Sequence, residues 1–303
     1  MLPHTATDNI PVVFRKTRLA PTPSGYLHLG NVLSFALTAA MAAQCGARIL
    51  LRIDDLDRER YDVQYVQDIF DTLHFLEIPW HEGPRDVLSF EREYSQVHRL
   101  PLYREMLTAL EARQAVFACD CSRSLQQKHH KEGCHEDVCT TKGLALDGKG
   151  ISWRQHTDDR LIAVNTLQGT IQEALPRAMR HFVVRKKDGY PAYQLASLAD
   201  DLHFGVDLIV RGEDLWPSTL AQHYLAARLD QTAFLRSTFH HHPLIKDPAG
   251  VKLSKSAGAT SVRYLRKEGK KASDVFTLIG NMLGLKEPVS GWHMLAQRLG
   301  FIL

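Results

Sequence analysis

A chain of 303 residues that is 44% hydrophobic and 23% charged holds enough apolar side chain for a sizeable core, and its length predicts roughly two compact units of about 100–200 residues each. A formal net charge of +3 is too small to define a partner class, and no window approaches the roughly 18 unbroken apolar residues of a membrane-spanning helix. The start MLPHTATDNIP lacks the basic-then-apolar order of a secretory signal, so the sequence reads as a soluble globular protein of the cytoplasm with no membrane partner.

In chain order, VVFRKTRLA (12–20) reads as a first strand, LGNVLSFALTAAMAAQ (29–44) as a helix closed by Gly46, and ARILLRI (47–53) as a second strand rich in branched apolar residues. Strand, helix and strand in that order predict a parallel α/β sheet. VQYVQDIFDTLHFLEI (63–78) and REYSQVHRLPLYREMLTALEAR (92–113) carry apolar positions at helical spacing. A cysteine cluster, CDCSRSLQQKHHKEGCHEDVC, and the Gly/Asp-rich KGLALDGKG follow. Strand signals then return at HFVVR and VDLIV. The stretch 101–180 therefore reads as an insertion between two halves of one sheet, 1–100 and 181–245, and 246–303 as a basic, helical C-terminal region. No fixed-period repeat or low-complexity tract is visible. Positive charge gathers at 176–187 and 252–271, which permits a polyanionic partner but is equally the look of a solvated face.

Four of the five cysteines, Cys119, Cys121, Cys134 and Cys139, fall within 21 residues, while Cys45 stands alone. In a cytoplasmic chain such a cluster favours a metal site over disulfides. The segment RLAPTPSGYLHLGN, Arg18 to Asn31, leads from the first strand into the first helix. The end of a parallel strand and the start of the helix after it form an anion site, because unpaired backbone N–H groups and the helix dipole both favour negative charge there. Gly25 and Gly30 allow close approach, Pro21 and Pro23 stiffen the turn, and His28 adds a ring donor; a histidine here is equally the look of a helix cap. Far downstream, HHPLIKDPAGVKLSKSAGATS carries Lys252 and Lys255 in a Gly/Ser/Ala-rich context. Lysines on such a loop suit a charge that grows during nucleotidyl transfer, and a solvated loop is the plain alternative.

Taken in order, HLGN and KLSKS resemble the two signatures of class I aminoacyl-tRNA synthetases. RLAPTPSGYLHLGN, LRIDDLDRER, DGYPAYQLASLADD and LIVRGEDLWPST are similar to successive motifs of the glutamyl-tRNA synthetase group, over about residues 15 to 260. Leu56 in DDLD, and the 47 residues that follow KLSKS, resemble the short branch of that group, which keeps the catalytic domain without an anticodon-binding domain. The resemblance implies an α/β fold: a class I synthetase Rossmann-type parallel sheet with an inserted zinc-containing connective region and a short helical C-terminal extension. On it, 1–100 and 181–245 are the two halves of the nucleotide-binding fold, 101–180 the connective region, and 246–303 the KLSKS loop and helical tail. It also implies an ATP-dependent ligase, a monomer, that activates glutamate and transfers it to queuosine in the anticodon loop of tRNA(Asp). A truncated glutamyl-tRNA synthetase charging tRNA(Glu) and a non-catalytic regulatory paralogue stay open beside it; the retained His28 and Lys255 speak against the second.

Carried over by position, the resemblance gives Arg18, Ala20 and Thr22 to the amino acid, with Arg18 pairing its side-chain carboxylate through two parallel hydrogen bonds. Tyr193 and Arg211 belong to the same pocket. Asp54 stands where the family has glutamate for the substrate's α-amino group, one methylene shorter, and Ser197 where the long enzymes have asparagine. His28, Gly30, Asn31, Lys252 and Lys255 meet ATP, with His28 and Lys255 catalytic, and Mg2+ accompanies the nucleotide. The cysteine cluster matches a structural site for one Zn2+ per chain: Cys119, Cys121 and Cys139, with Cys134 or His135 as the fourth ligand.

Overall fold

The computed structural model describes residues 13–121, 139–245 and 261–300. Strand β1 (Lys16–Leu19), helix α1 (Leu29–Cys45) and strand β2 (Arg48–Leu51) form the expected unit, with β1 and β2 parallel and Arg18 opposite Leu50. Helix α1 is apolar on most of its surface because it is covered on several sides, by the strands and by C-terminal helices. It ends where the sequence placed its stop: Gly46 takes the left-handed conformation at φ 69°, and the amide of Ala47 returns to the Ala42 carbonyl. Helix α2 (Val63–Phe75) follows.

The helix expected over 92–113 begins only at Leu100, as α3 (Leu100–Ala112). The chain breaks at Ser95, which is extended at ψ 140°, because the buried Asp55 carboxylate takes the Ser95 hydroxyl at 2.6 Å and the Gln96 amide at 2.8 Å. Short helical turns over 87–99 fill the interval, and Pro101 opens α3, where its missing N–H costs nothing.

Strands β3 (Val116–Cys119), β4 (Ser152–Gln155) and β7 (Val183–Arg185) make an antiparallel sheet in the order β3-β4-β7. HFVVR is thus a strand of this small sheet, not of the parallel one. Between β4 and β7, strands β5 (Leu161–Thr166) and β6 (Gly169–Ala174) form a hairpin. Helix α4 (Tyr193–His203), strand β8 (Leu208–Gly212), helix α5 (Trp216–Arg228) and strand β9 (Thr238–His242) complete the central part, and α6 (Val262–Lys267), α7 (Ala272–Met282) and α8 (Trp292–Arg298) close the described chain.

The second sheet runs β6-β5-β9-β8, with β5, β9 and β8 parallel and β6 antiparallel at the edge. The architecture is therefore a mixed α/β, Rossmann-like one, where the sequence predicted a purely parallel sheet. The antiparallel strand comes from a hairpin at the sheet's margin whose outer strand is exposed along most of its length. β1 abuts β8 through Asp207: its amide donates to the Lys16 carbonyl at 3.0 Å, and its carboxylate accepts the amides of Arg15 and Lys16 at 3.0 and 2.9 Å. One core gathers α1, β2, α2 and the C-terminal helices; another gathers α3, α4, α5, β5 and β9. No described helix is long and apolar enough to cross a membrane.

Three buried or half-buried histidines on α5 and β9 are held neutral. His223 on α5 is fully buried, and burial pulls it down to about 4; burial likewise holds His240 at about 4 and His241 at about 3. Their ordinary value is 6.5, so the unfolded chain binds protons that the folded chain refuses, and stability present above pH 6.5 is lost as pH falls toward 4. The urea midpoint is expected to drop by several tenths of a molar or more from pH 7 to pH 5 with an unchanged slope, about 1–3 kcal/mol of lost stability. An unmoved midpoint would show that these rings are not held neutral.

Candidate active site

Two cavities meet at Tyr193, the first residue of α4. The smaller, about 230 Å³, lies beyond the ends of β1 and β8 and is lined by Arg18, Ala20, His28, Gly30, Asn31, Tyr193 and Arg211, with Asp214 and His242. The larger, about 770 Å³, is lined by Thr22, Asp54 and Ser197 together with Asp57, Lys186 and Tyr190. The structure thus brings Arg18, Ala20, His28, Gly30, Asn31, Tyr193 and Arg211 together, and sets Thr22 and Asp54 next door. Lys252 and Lys255 lie outside the described residues.

A network of buried ions underlies this floor. Arg18 donates from Nε to Asp201 at 3.3 Å and from Nη1 to the Val210 carbonyl at 3.1 Å. Arg52 grips Asp54 with two bonds of 2.7 and 3.0 Å and reaches Asp201 with a third at 2.7 Å, while also donating to Ser197 Oγ at 3.2 Å. Asp200 accepts from Arg99 at 2.7 and 3.1 Å, from the Tyr103 hydroxyl at 2.7 Å and from Gln96 at 2.9 Å. Burial would raise its carboxyl, but Arg99 and Arg52 hold it below the usual carboxylate range. Asp54 is pushed the other way, burial outweighing the pull of Arg52.

Arg211 is the exception. Its Nη2 donates to Thr219 Oγ1 at 2.5 Å and Gln222 Oε1 at 2.9 Å, but Nε and Nη1 are buried with no hydrogen-bond partner among the described residues. Burial, and after it the charge of Arg18, pulls Arg211 down to about 10, against the opposing Tyr193 phenol and Asp201 carboxylate. In this network Arg18 and Arg52 share Asp201, Arg52 also holds Asp54 and Arg99 holds Asp200, whereas Arg211 has no carboxylate among its described hydrogen-bond partners; Asp214 lines the same cavity. A buried guanidinium without a counter-charge is costly, so the geometry is that of an anion site.

The other side of the smaller cavity is the start of α1. His28 is extended (φ −113°, ψ 170°) and caps the helix: its Nδ1 accepts the Gly30 amide at 3.1 Å, and Asn31 Oδ1 accepts the His28 amide at 3.1 Å. With Nδ1 an acceptor, the neutral ring carries its proton on Nε2. Asn31, read from the sequence as a nucleotide contact, therefore has its side-chain oxygen engaged in the cap. A Cβ at Gly30 would lie 3.0 Å from His28 Cε1, so a side chain there would push the ring aside.

At the edge of the larger cavity, which Cys121 helps to line, Cys119 and Cys121 on and after β3 meet Cys139. All three are buried, their sulfurs lie within 4.8 Å of one another, and Cys119 and Cys139 are 3.8 Å apart, Cys121 and Cys139 3.3 Å. A tetrahedral zinc with Zn–S bonds of about 2.3 Å sets sulfurs about 3.8 Å apart, so the trio fits three corners of such a site. Cys134 and His135 lie outside the described residues.

Sequence reasoning did not single out Arg52, Arg99, Asp200 or Asp201. The last two stand in LASLADD and Arg52 in LRIDDLD, and an acidic pair on a helix that also buries Leu195, Ala196 and Leu198 was the available signal that its charges face inward.

Residues 15–287 match the family described as tRNA synthetases class I (E and Q), catalytic domain. The chain belongs to this family and is an ATP-dependent ligase of the class I aminoacyl-tRNA synthetase type. Within it, the chain is 35% identical over 289 residues to a glutamyl-Q tRNA(Asp) synthetase of Symbiobacterium thermophilum, covering 90% of this chain and 88% of that one, and 36% identical to the protein of the same name in Neisseria meningitidis serogroup B, covering 83% of each. It is also 32% identical to a glutamate–tRNA ligase of Dehalococcoides mccartyi, where the match takes 84% of this chain but spans only 53% of the relative. The fold is similar to that of the glutamate-tRNA synthetase of Elizabethkingia anophelis, with a TM-score of 0.72 at 23% identity, over 93% of this chain and 65% of that one.

Substitution separates the observed cap from the catalytic part expected of His28. His28→Asn keeps a cap and is expected to hold stability close to wild type, whereas His28→Ala is expected to lose about 1 kcal/mol. Both remove the Nε2 donor and are expected to slow ATP-dependent activation at least tenfold. Urea unfolding and pyrophosphate exchange read the two effects; wild-type exchange in His28→Asn would make the ring a cap and nothing more.

Proposed function

We propose that the chain joins glutamate to ATP as glutamyl-adenylate, releasing pyrophosphate, and then transfers the glutamyl group to a hydroxyl of the cyclopentenediol of queuosine in tRNA(Asp). The observation that carries the first half is Arg211, a buried cation at the wall of the smaller cavity with two N–H groups that have no hydrogen-bond partner among the described residues. Glutamate brings one net negative charge. In this reading its side-chain carboxylate lies between Arg18 and Arg211, whose planar forks suit a carboxylate. Tyr193 closes the pocket, Ala20 and Thr22 flank the substrate, and Asp54, steadied by Arg52, receives the α-ammonium.

ATP lies against the start of α1. The helix dipole favours its phosphates, Gly30 leaves room for them, and the Nε2 proton of His28 is the donor at that helix mouth. Lys252 and Lys255 belong to this reading as the groups that meet charge developing on the α-phosphate, and Mg2+ as the ion carried by the nucleotide. The larger cavity, which shares Tyr193 with the first, admits the acceptor nucleoside. The acceptor itself is supported by the relatives named glutamyl-Q tRNA(Asp) synthetase. Cys119, Cys121 and Cys139, with Cys134 or His135, would hold a Zn2+ whose part is to cross-link the connective region. The enzyme acts as a monomer.

Charging total tRNA with labelled glutamate and locating the label tests the reading. Label is expected on queuosine-containing tRNA(Asp) and absent when the tRNA comes from cells unable to make queuosine. Label on the terminal adenosine of tRNA(Glu), indifferent to queuosine, would put the synthetase reading in its place. For the metal, elemental analysis is expected to find about one zinc per chain, lost in Cys121→Ser along with protease resistance near residues 116–155. A zinc-free wild type of normal stability would remove the metal site.

A further inference from the structure

We propose that Asp201 is a positioning residue for amino-acid selection: it touches no substrate but sets the two arginines on which the pocket depends. This rests on the glutamate reading of the smaller cavity. Asp201 lies on α4, 1% exposed, and lines neither cavity. Its Oδ1 takes both Arg18 Nε at 3.3 Å and Arg52 Nη1 at 2.7 Å, so two guanidiniums share one oxygen. Arg52 in turn holds Asp54 from Nε and Nη2. One carboxylate therefore couples the arginine at the acidic end of the substrate to the aspartate at its amino end.

The neighbouring carboxylate does not replace it at Arg18. Asp200 comes within 3.9 Å of Arg52, but its oxygens accept from Arg99, Tyr103 and Gln96. The Val210 carbonyl holds Arg18 only at Nη1. Without the Asp201 charge, Arg18 and Arg52 face each other at close range in a buried site, where like charges repel strongly, and Arg18 has no anion to fix its plane except the substrate. Asp201 Oδ2 is buried with no hydrogen-bond partner among the described residues, so the carboxylate is held off-centre by its other oxygen. A site so arranged has a defined direction for the Arg18 fork before substrate arrives, and discrimination between a carboxylate and an isosteric amide depends on that direction.

The test is glutamate-dependent ATP–pyrophosphate exchange by Asp201→Asn, which keeps shape and removes charge, and by Asp201→Glu, which keeps charge and moves it by a methylene. Both are expected to raise KM for glutamate roughly 10–100-fold and to lower the preference for glutamate over glutamine by a similar factor, with KM for ATP within about threefold of wild type. If the charge serves only the fold, both variants yield less active enzyme while that enzyme keeps the wild-type KM for glutamate and the wild-type preference; that result overturns the proposal, however poorly either variant folds. Wild-type enzyme that prefers another amino acid would instead overturn the glutamate reading beneath it.

Discussion

The structure turns on a requirement that buried charge be matched. Arginines and aspartates from β1, α4 and β8, from the segment after β2 and from the turn that leads into α3 converge in a buried layer beneath two cavities, where an unpaired ion costs several kcal/mol. Such pairs are weak contributors to stability, since burial costs nearly what pairing returns, but each fixes the direction of its neighbours. Arg52 is locked by Asp54 and Asp201, Arg99 by Asp200, and Arg18 by Asp201. Arg211 has two buried N–H groups with no hydrogen-bond partner among the described residues, and it stands at the wall of the cavity. Donors held this way suit an incoming anion.

The fold supplies the geometry through its seams. Asp207 fastens β1 to β8, and this places Arg18 and Arg211, one from each strand, at the same end of adjoining strands. Helix α1 brings its N-terminus to the opposite wall, so the smaller cavity is bounded by guanidiniums on one side and by helix amides and the His28 ring on the other. Both sides favour anions, and they are different anions: a carboxylate suits a planar fork, a phosphate suits a helix start. The two hydrophobic cores lie on either side of this layer, which keeps the charged residues at the joint between them.

Much of the local structure was legible in the chain. Apolar residues all along 29–44, with a glycine at 46, describe a covered helix and its end, and HLGN at its start describes a cap as well as a ligand contact. The close approach of Cys119, Cys121 and Cys139 follows the C-x-C spacing and a thiol 18 residues on. What was not legible depends on contacts distant in sequence. Nothing in HFVVR says that its partner is β4, and nothing in LIAVNT says that it extends the sheet of β9. The helix start at Leu100 was hidden because Asp55, 40 residues upstream, interrupts the pattern at Ser95. Arg52 and Asp201, 149 residues apart, read as ordinary surface charges until the fold joins them.

Everything proposed for the pocket depends on Arg211 as a preformed site for an acidic side chain. Calorimetric titration of the protein with L-glutamate and L-glutamine, in wild type and in Arg211→Gln, measures this without ATP, RNA or turnover. Glutamate is expected to bind the wild type at least tenfold more tightly than glutamine, and Arg211→Gln to erase most of that difference, the scale of one charge-assisted hydrogen-bonded pair. Equal binding of the two amino acids by the wild type, or an undiminished preference in Arg211→Gln, would contradict it.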